Sequence, residues 1–175
     1  MVVLLRGVNV GGNNMVPMAR LREIAEELGY TDVATYLQSG NLVVSADPKP
    51  AKVEAAVADA LRTQLDVDAA VMVRTGDELA AVIAGNPFAE VTDPKRLLVN
   101  FLEAQPAAGK IEALDPDEFA PERFEFGDRC MYQSLPNGVG RSKLATAPWG
   151  RRLGVQGTGR NWRTVLALRD LLDRH

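Results

Sequence analysis

Histidine and cysteine are nearly absent from this 175-residue chain, with one of each, His175 and Cys130. That scarcity excludes an internal disulfide and makes a His/Cys metal site or a Ser-His or Cys-His nucleophilic pair untenable. Cys130 lies in "GDRCMYQ", which reads as a strand, so it is expected to be a small core residue. Long apolar runs are missing too. "VVLL" is four residues, too short for a signal-peptide core, and nothing approaches the ~20 apolar residues of a membrane helix. The expectation is a cytoplasmic protein that does not engage a membrane. Aromatics are few (6%), and neither "VVLL" nor "NLVVSA" carries one, so the stacking strands of an RNA-recognition motif are not there.

Acidic residues are missing from one long interval. Between Asp128 and Asp170 there is no carboxylate, yet the interval holds Arg129, Arg141, Lys143, Arg151, Arg152, Arg160, Arg163 and Arg169. The first 121 residues carry 10 basic and 18 acidic side chains, the remainder 10 and 5, within a net charge of −3. A one-sign stretch of this kind reads either as a surface that meets an anion or as a solvated basic face balanced by the acidic first part.

What is present is the patterning of a soluble α+β protein: 46% hydrophobic and 25% charged residues. Residues 2–6 read as a strand, followed by a glycine loop and a helix over 17–28, where Met18, Leu21, Ile24 and Leu28 recur at helical spacing. "DVATYLQ" and "NLVVSA" read as a hairpin around "SGN". A helix from Pro50 follows, with Val53, Val57, Leu61 and Leu65 on one stripe, and then "AAVMVR" as a strand. Strand, helix, strand, strand, helix, strand is the split βαβ, or ferredoxin-like, order. Residues 76–175 read as a second unit of related kind. It holds a helix over 75–85 capped by Thr75, a strand "RLLVNFLE", a short helix "PAAGKIEAL", a hairpin "ERFEFGDRCMYQSL" and a last helix from Asn161. The predicted architecture is two ferredoxin-like subdomains, 1–75 and 76–175, in one compact unit, the second ending in basic loops and a helix.

Three stretches carry the candidate chemistry. "RGVNVGGNN" is neither G-x-G-x-x-G nor a P-loop, since Asn9 replaces the second glycine and no G-K-[ST] follows. Gly11 and Gly12 permit positive φ, N–H groups ahead of the helix can face an anion, Asn9, Asn13 and Asn14 add amides, and Arg6 adds a charge. The alternative is that the asparagines bond their own backbone. "QSGN" offers Ser39 and Asn41, as hairpin turn or as ligand contact. In the split βαβ unit its turn is expected at the strand end opposite the first loop. "GVGRSKLA" and "GTGRNWRTV" each set glycines, an arginine and a small polar residue before a helix, with Ser142 and Asn161 as caps. Arg141, Lys143, Arg160 and Arg163 would then gather where helix dipole and cation favour an anion. Asp115, Asp117 and Glu118 read as a solvated turn.

"LLRGVNVGGNNMVPMARLREIAEELGYTDVATYLQSGNLVV", "GRSKL" and "GTGRNWRTVLAL" closely resemble the opening and closing signatures of the bacterial DUF1697 proteins. The resemblance implies ferredoxin-like subdomains and supplies no activity. It marks Arg6, Gly7, Asn9, Gly11, Gly12, Ser39, Gly40 and Asn41 as family-motif positions, and near the end Ser142, Lys143, Arg160, Asn161, Trp162 and Thr164. The family loop often has lysines where Asn13 and Met15 stand here, and often a bulkier residue in place of Gly159.

The expected function is recognition of an anion, a phosphorylated ligand or a nucleic-acid backbone, with no cofactor or metal. Arg6, Arg141, Lys143 and Arg160 would supply charge, and Asn9, Ser39, Asn41 and Asn161 directional hydrogen bonds. Two alternatives stand beside it. One is a metal-independent enzyme acting on a phosphorylated or carboxylated substrate, with Lys143 as its base. The other is an interaction module whose motif residues only stabilise loops.

Overall fold

The computed structural model describes residues 1–174. Its strands form two four-stranded antiparallel sheets, and the chain divides into two contact units. The first holds Met1–Ala80 and the C-terminal residues from Ala167 on; the second holds Ala81–Leu166. The break expected after residue 75 therefore falls just ahead of a helix whose first residues stay with the first unit.

In the first unit β1 (Val2–Leu5) is followed by α1 (Met18–Glu27), β2 (Thr31–Thr35), β3 (Asn41–Ser45), α2 (Pro50–Leu65) and β4 (Val71–Arg74). The sheet order β2-β3-β1-β4 is that of the ferredoxin-like fold. Each helix forms because its apolar residues recur every three or four positions. Leu21, Ile24 and Ala25 of α1 and Val53, Val57 and Leu61 of α2 are buried against Val3, Leu5, Leu42, Val44, Val71 and Val73 of the sheet. Pro50 sits in the first turn of α2, whereas Pro17 is the residue preceding α1 rather than its first helical residue.

The register corrects one expectation. β1 pairs antiparallel with β3, and Leu4 lies opposite Asn41. The end of β1 therefore adjoins the start of β3, so the first loop and the Ser-Gly-Asn turn share one end of the sheet. A right-handed β1–α1–β2 crossover makes β1 and β2 parallel, which leaves the inserted β3 running against both.

The second unit repeats the topology. Continuing from α3 (Gly76–Ala84), it contains β5 (Leu97–Leu102), α4 (Ala108–Glu112), β6 (Arg123–Gly127), β7 (Cys130–Ser134), α5 (Lys143–Thr146), α6 (Trp149–Leu153) and β8 (Gly157–Asn161), and it enters α7 (Trp162–Leu172). Its sheet order is β6-β7-β5-β8. Leu102, Met131, Leu135, Leu144, Trp149 and Leu153 make one core cluster, which Phe119 joins with its ring 5.6 Å from that of Trp149. Cys130 is buried in β7.

β8 is a correction. "GTGR", expected as a loop before the last helix, pairs along β5, from Leu98 opposite Asn161 to Leu102 opposite Gly157. Glycine suits this strand because it lies tight against its neighbour. A Cβ at Gly157 would stand 2.6 Å from Asn100 Oδ1 and 2.8 Å from Leu102 Cδ2. The last helix consequently starts directly from a strand end.

Candidate functional site

In the first unit the two sequence motifs are tied together. Asn9 Nδ2 donates to Gln38 O at 2.7 Å and to Val16 O at 2.9 Å, while its Oδ1 accepts from Val16 N–H at 2.7 Å. Asn9 has φ +55°, a conformation asparagine tolerates better than most residues. Asn14 Nδ2 reaches Gly7 O at 3.2 Å, and the Asn9 and Asn13 N–H groups bond Asn14 O and Val10 O within the loop, each at 3.1 Å. Asn41 is buried, and its Nδ2 donates to Tyr36 O at 2.8 Å and Ser39 Oγ at 2.9 Å. Gly40 closes the assembly: with φ +79° it brings its carbonyl to Leu5 N–H at 2.8 Å, and a Cβ there would stand 2.7 Å from Leu5 Cβ and from Val8 Cγ2. These bonds fasten two loops; Gly11, Gly12 and Arg6 are exposed.

In the second unit Arg141, Ser142, Lys143, Arg160, Asn161 and Trp162 serve unlike purposes. Ser142 is buried, and its Oγ accepts from Ala145 N–H at 2.8 Å, capping α5. Glu122 supplies a second acceptor to the same turn, taking Leu144 N–H at 2.9 Å. Asn161 Oδ1 caps α7 through Thr164 N–H at 2.9 Å, and Trp162 is half-buried at its first position. Arg160 is buried. Its Nη1 donates to Thr158 Oγ1 at 2.7 Å and Gly159 O at 2.9 Å, and desolvation lowers its pKa to about 10. Lys143 and Arg141 are exposed.

Arg141 lines a sizeable cleft. A cavity of about 610 Å³ lies among Asp93, Lys95, Arg96, Pro136, Asn137, Gly138 and Arg141. Two turns build it. Asp93 to Arg96 is closed by Arg96 N–H to Asp93 O at 2.9 Å, with Asp93 Oδ1 also accepting Lys95 N–H at 3.0 Å. Leu135 to Gly138 is closed by Gly138 N–H to Leu135 O at 2.9 Å. They lie side by side because Leu97 at the start of β5 pairs with Ser134 at the end of β7, and Leu135 N–H donates to Arg96 O at 2.8 Å. Proline occupies the second position of each turn, where its fixed φ is already correct.

The charge in this cleft is unbalanced. Arg96 Nε stands 3.5 Å from Asp93 Oδ2, whereas Lys95 and Arg141 form no ion pair among the described residues. The sequence motifs had singled out Arg141 and missed Lys95, Arg96 and Asn137. The signal that points to them is a pair of proline turns, "DPKR" and "LPNG", each next to a strand in the same sheet. Some cations elsewhere are paired. Arg152 bonds Glu118 at 2.9 and 2.5 Å, and Arg123 bonds Glu90, which holds both carboxyls below the usual carboxylate range. Among the described residues no group of His, Cys, Asp and Glu is arranged to hold a metal ion, and no helix is long and apolar enough to cross a membrane.

Comparison with known proteins agrees with this picture of the fold. The sequence pattern of the family described as "Protein of unknown function (DUF1697)" matches residues 1–132, and the chain belongs to that family. The match ends within β7, so "GRSKL" and "GTGRNWRTVLAL" lie beyond it. The chain is similar to the solved structure of the conserved bacterial protein SP0830 from Streptococcus pneumoniae, with 21% identity over 98% of this chain and 97% of that one and a TM-score of 0.75. That likeness is one of fold. No curated protein matches the chain.

Proposed function

We propose that this DUF1697 member is an anion-recognising binding protein whose ligand site is the cleft between the Asp93–Arg96 and Leu135–Gly138 turns. The observation that carries the reading is the convergence of Lys95, Arg96 and Arg141 on one cavity with a single carboxylate, Asp93, in a chain whose net charge is −3. Like charges gathered against the sign of the whole molecule repel one another unless an anion sits among them. Arginine presents a planar fork that fits two oxygens of a phosphate or carboxylate, and lysine adds a point charge. The cavity volume lies within the roughly 300–1,000 Å³ of small-ligand sites.

Each charge-assisted contact is worth about 1.5–3 kcal/mol when formed, less at an open and screened site. Dissociation constants for a simple anion in the millimolar to micromolar range, about −4 to −8 kcal/mol, are the corresponding expectation. The test is calorimetric titration of inorganic phosphate into the wild-type protein and a Lys95→Ala/Arg141→Ala variant at low and high salt. Binding that weakens at least about tenfold in the variant, and also weakens with salt, supports the reading. Wild-type protein that binds no phosphate, or a variant that binds it equally well, overturns it.

A further inference from the structure

A second cavity, of about 270 Å³, is lined by Glu90, Val91, Thr92, Asp93, Arg96, Arg123, Ser134 and Pro136. Three of these residues, Asp93, Arg96 and Pro136, also line the basic cleft. The two spaces therefore adjoin along these residues, and a ligand reaching from one into the other would meet unlike surroundings. Lys95 and Arg141 line the first space alone, and Arg96 lines both. The second space offers donors and acceptors together: the Arg123–Glu90 pair, the hydroxyl of the exposed Thr92 and the Ser134 hydroxyl.

The chemistry of the second space narrows the ligand. No aromatic residue lines either cavity, and the ring of Phe88 is covered by the Arg123 guanidinium at 4.8 Å. A nucleobase would find no aromatic ring to stack on, and base–aromatic stacking is a main sequence-independent contribution to binding a base. The carboxylate of Glu90, which lines the second space alone, opposes a second phosphate there and disfavours polyphosphates and nucleic-acid strands. A hydroxyl both donates and accepts, so a run of hydroxyls can bond carboxylate, guanidinium and side-chain hydroxyl in turn.

From this we infer that the two adjoining spaces take a small monophosphorylated polyol, of the sugar-phosphate class. Its phosphate lies among Lys95, Arg96 and Arg141, and its hydroxyls lie toward Thr92, Glu90 and Arg123. The inference rests on the anion-binding reading of the same cleft and adds the identity of the ligand's other end.

The experiment is calorimetric titration with four probes: inorganic phosphate, glucose 6-phosphate, AMP and glucose. Glucose 6-phosphate is expected to bind at least about tenfold more tightly than phosphate or AMP, and glucose alone not measurably. In a Glu90→Gln/Thr92→Val variant, both changes being at exposed positions, the advantage of glucose 6-phosphate falls at least about fivefold while phosphate binds as before. If phosphate binds but glucose 6-phosphate binds no better, if AMP binds more tightly, or if that variant leaves the preference intact, the ligand class is wrong and the anion site stands. If no phosphate-bearing probe binds, both readings fall.

Discussion

Asn9 and Gln38, 29 residues apart, are joined by a 2.7 Å hydrogen bond from the Asn9 carboxamide to the Gln38 carbonyl. With its two further bonds to Val16, Asn9 links a glycine loop to a hairpin turn at one end of the first sheet. A residue that reads as a ligand donor in sequence thus works as a clasp.

Asn9→Ala removes three hydrogen bonds and leaves an alanine at φ +55°. The expected loss is about 2–3 kcal/mol in urea unfolding. Asn9→Gly relieves the backbone strain but not the bonds, so its loss should be smaller. Equal losses in the two variants would place the whole effect in the side-chain bonds.

Gly40→Ala is expected to be worse than an ordinary glycine substitution. The added Cβ meets Leu5 and Val8 at 2.7 Å, in a residue with φ +79°. Overpacking and a left-handed alanine each cost about 1–3 kcal/mol, so the free energy of unfolding should drop by at least about 2 kcal/mol. A near-neutral alanine would show that β1 and the turn are looser than the packing indicates.

Capping is testable at two helices. Thr75 Oγ1 accepts Glu78 N–H at 3.1 Å and Glu78 Oε2 accepts Thr75 N–H at 2.8 Å, a reciprocal box at the start of α3. Thr75→Ala and Ser142→Ala should each destabilise by about 1 kcal/mol, read by thermal or urea unfolding. Ser142→Ala should also leave phosphate binding intact, since its hydroxyl is engaged with Ala145 N–H.

The Glu118–Arg152 pair gives a pH dependence of known sign. Arg152 holds the Glu118 carboxyl below its ordinary value of 4.5. A depressed carboxylate contributes stability above its unfolded pKa and loses it as pH falls through the folded one. The difference in stability between wild type and Glu118→Gln should therefore be full at neutral pH and vanish in acid below 4.5. The effect is small, because the pair is exposed and salt screens it. A difference that grows in acid would contradict the assignment.

Much of this fold is legible in the sequence because its signals are local. Val53, Val57 and Leu61 mark the buried stripe of α2, and Thr75, Ser142 and Asn161 mark helix starts within three residues of the N–H groups they bond. What is not legible depends on pairing. "GTGR", with two glycines in four residues, has low strand propensity and becomes β8 because β5 offers it an edge at which glycine fits. The end of the sheet at which "QSGN" lies follows from the direction of β3, not from the turn itself. The basic cleft was half visible for the same reason. Arg141 stands in a marked motif, but Lys95 and Arg96 join it only through the β5–β7 register. Arg160 carries the opposite lesson: a basic residue in an acid-free interval whose guanidinium is buried in the strand it belongs to.

The most direct test of the central claim is an NMR titration of the labelled protein with inorganic phosphate. The amides of Lys95, Arg96, Asn137, Gly138 and Arg141 should shift together along one binding curve, and that curve should flatten in Arg141→Ala. Shifts confined to the Gly7–Asn14 loop, or none at all, would contradict it.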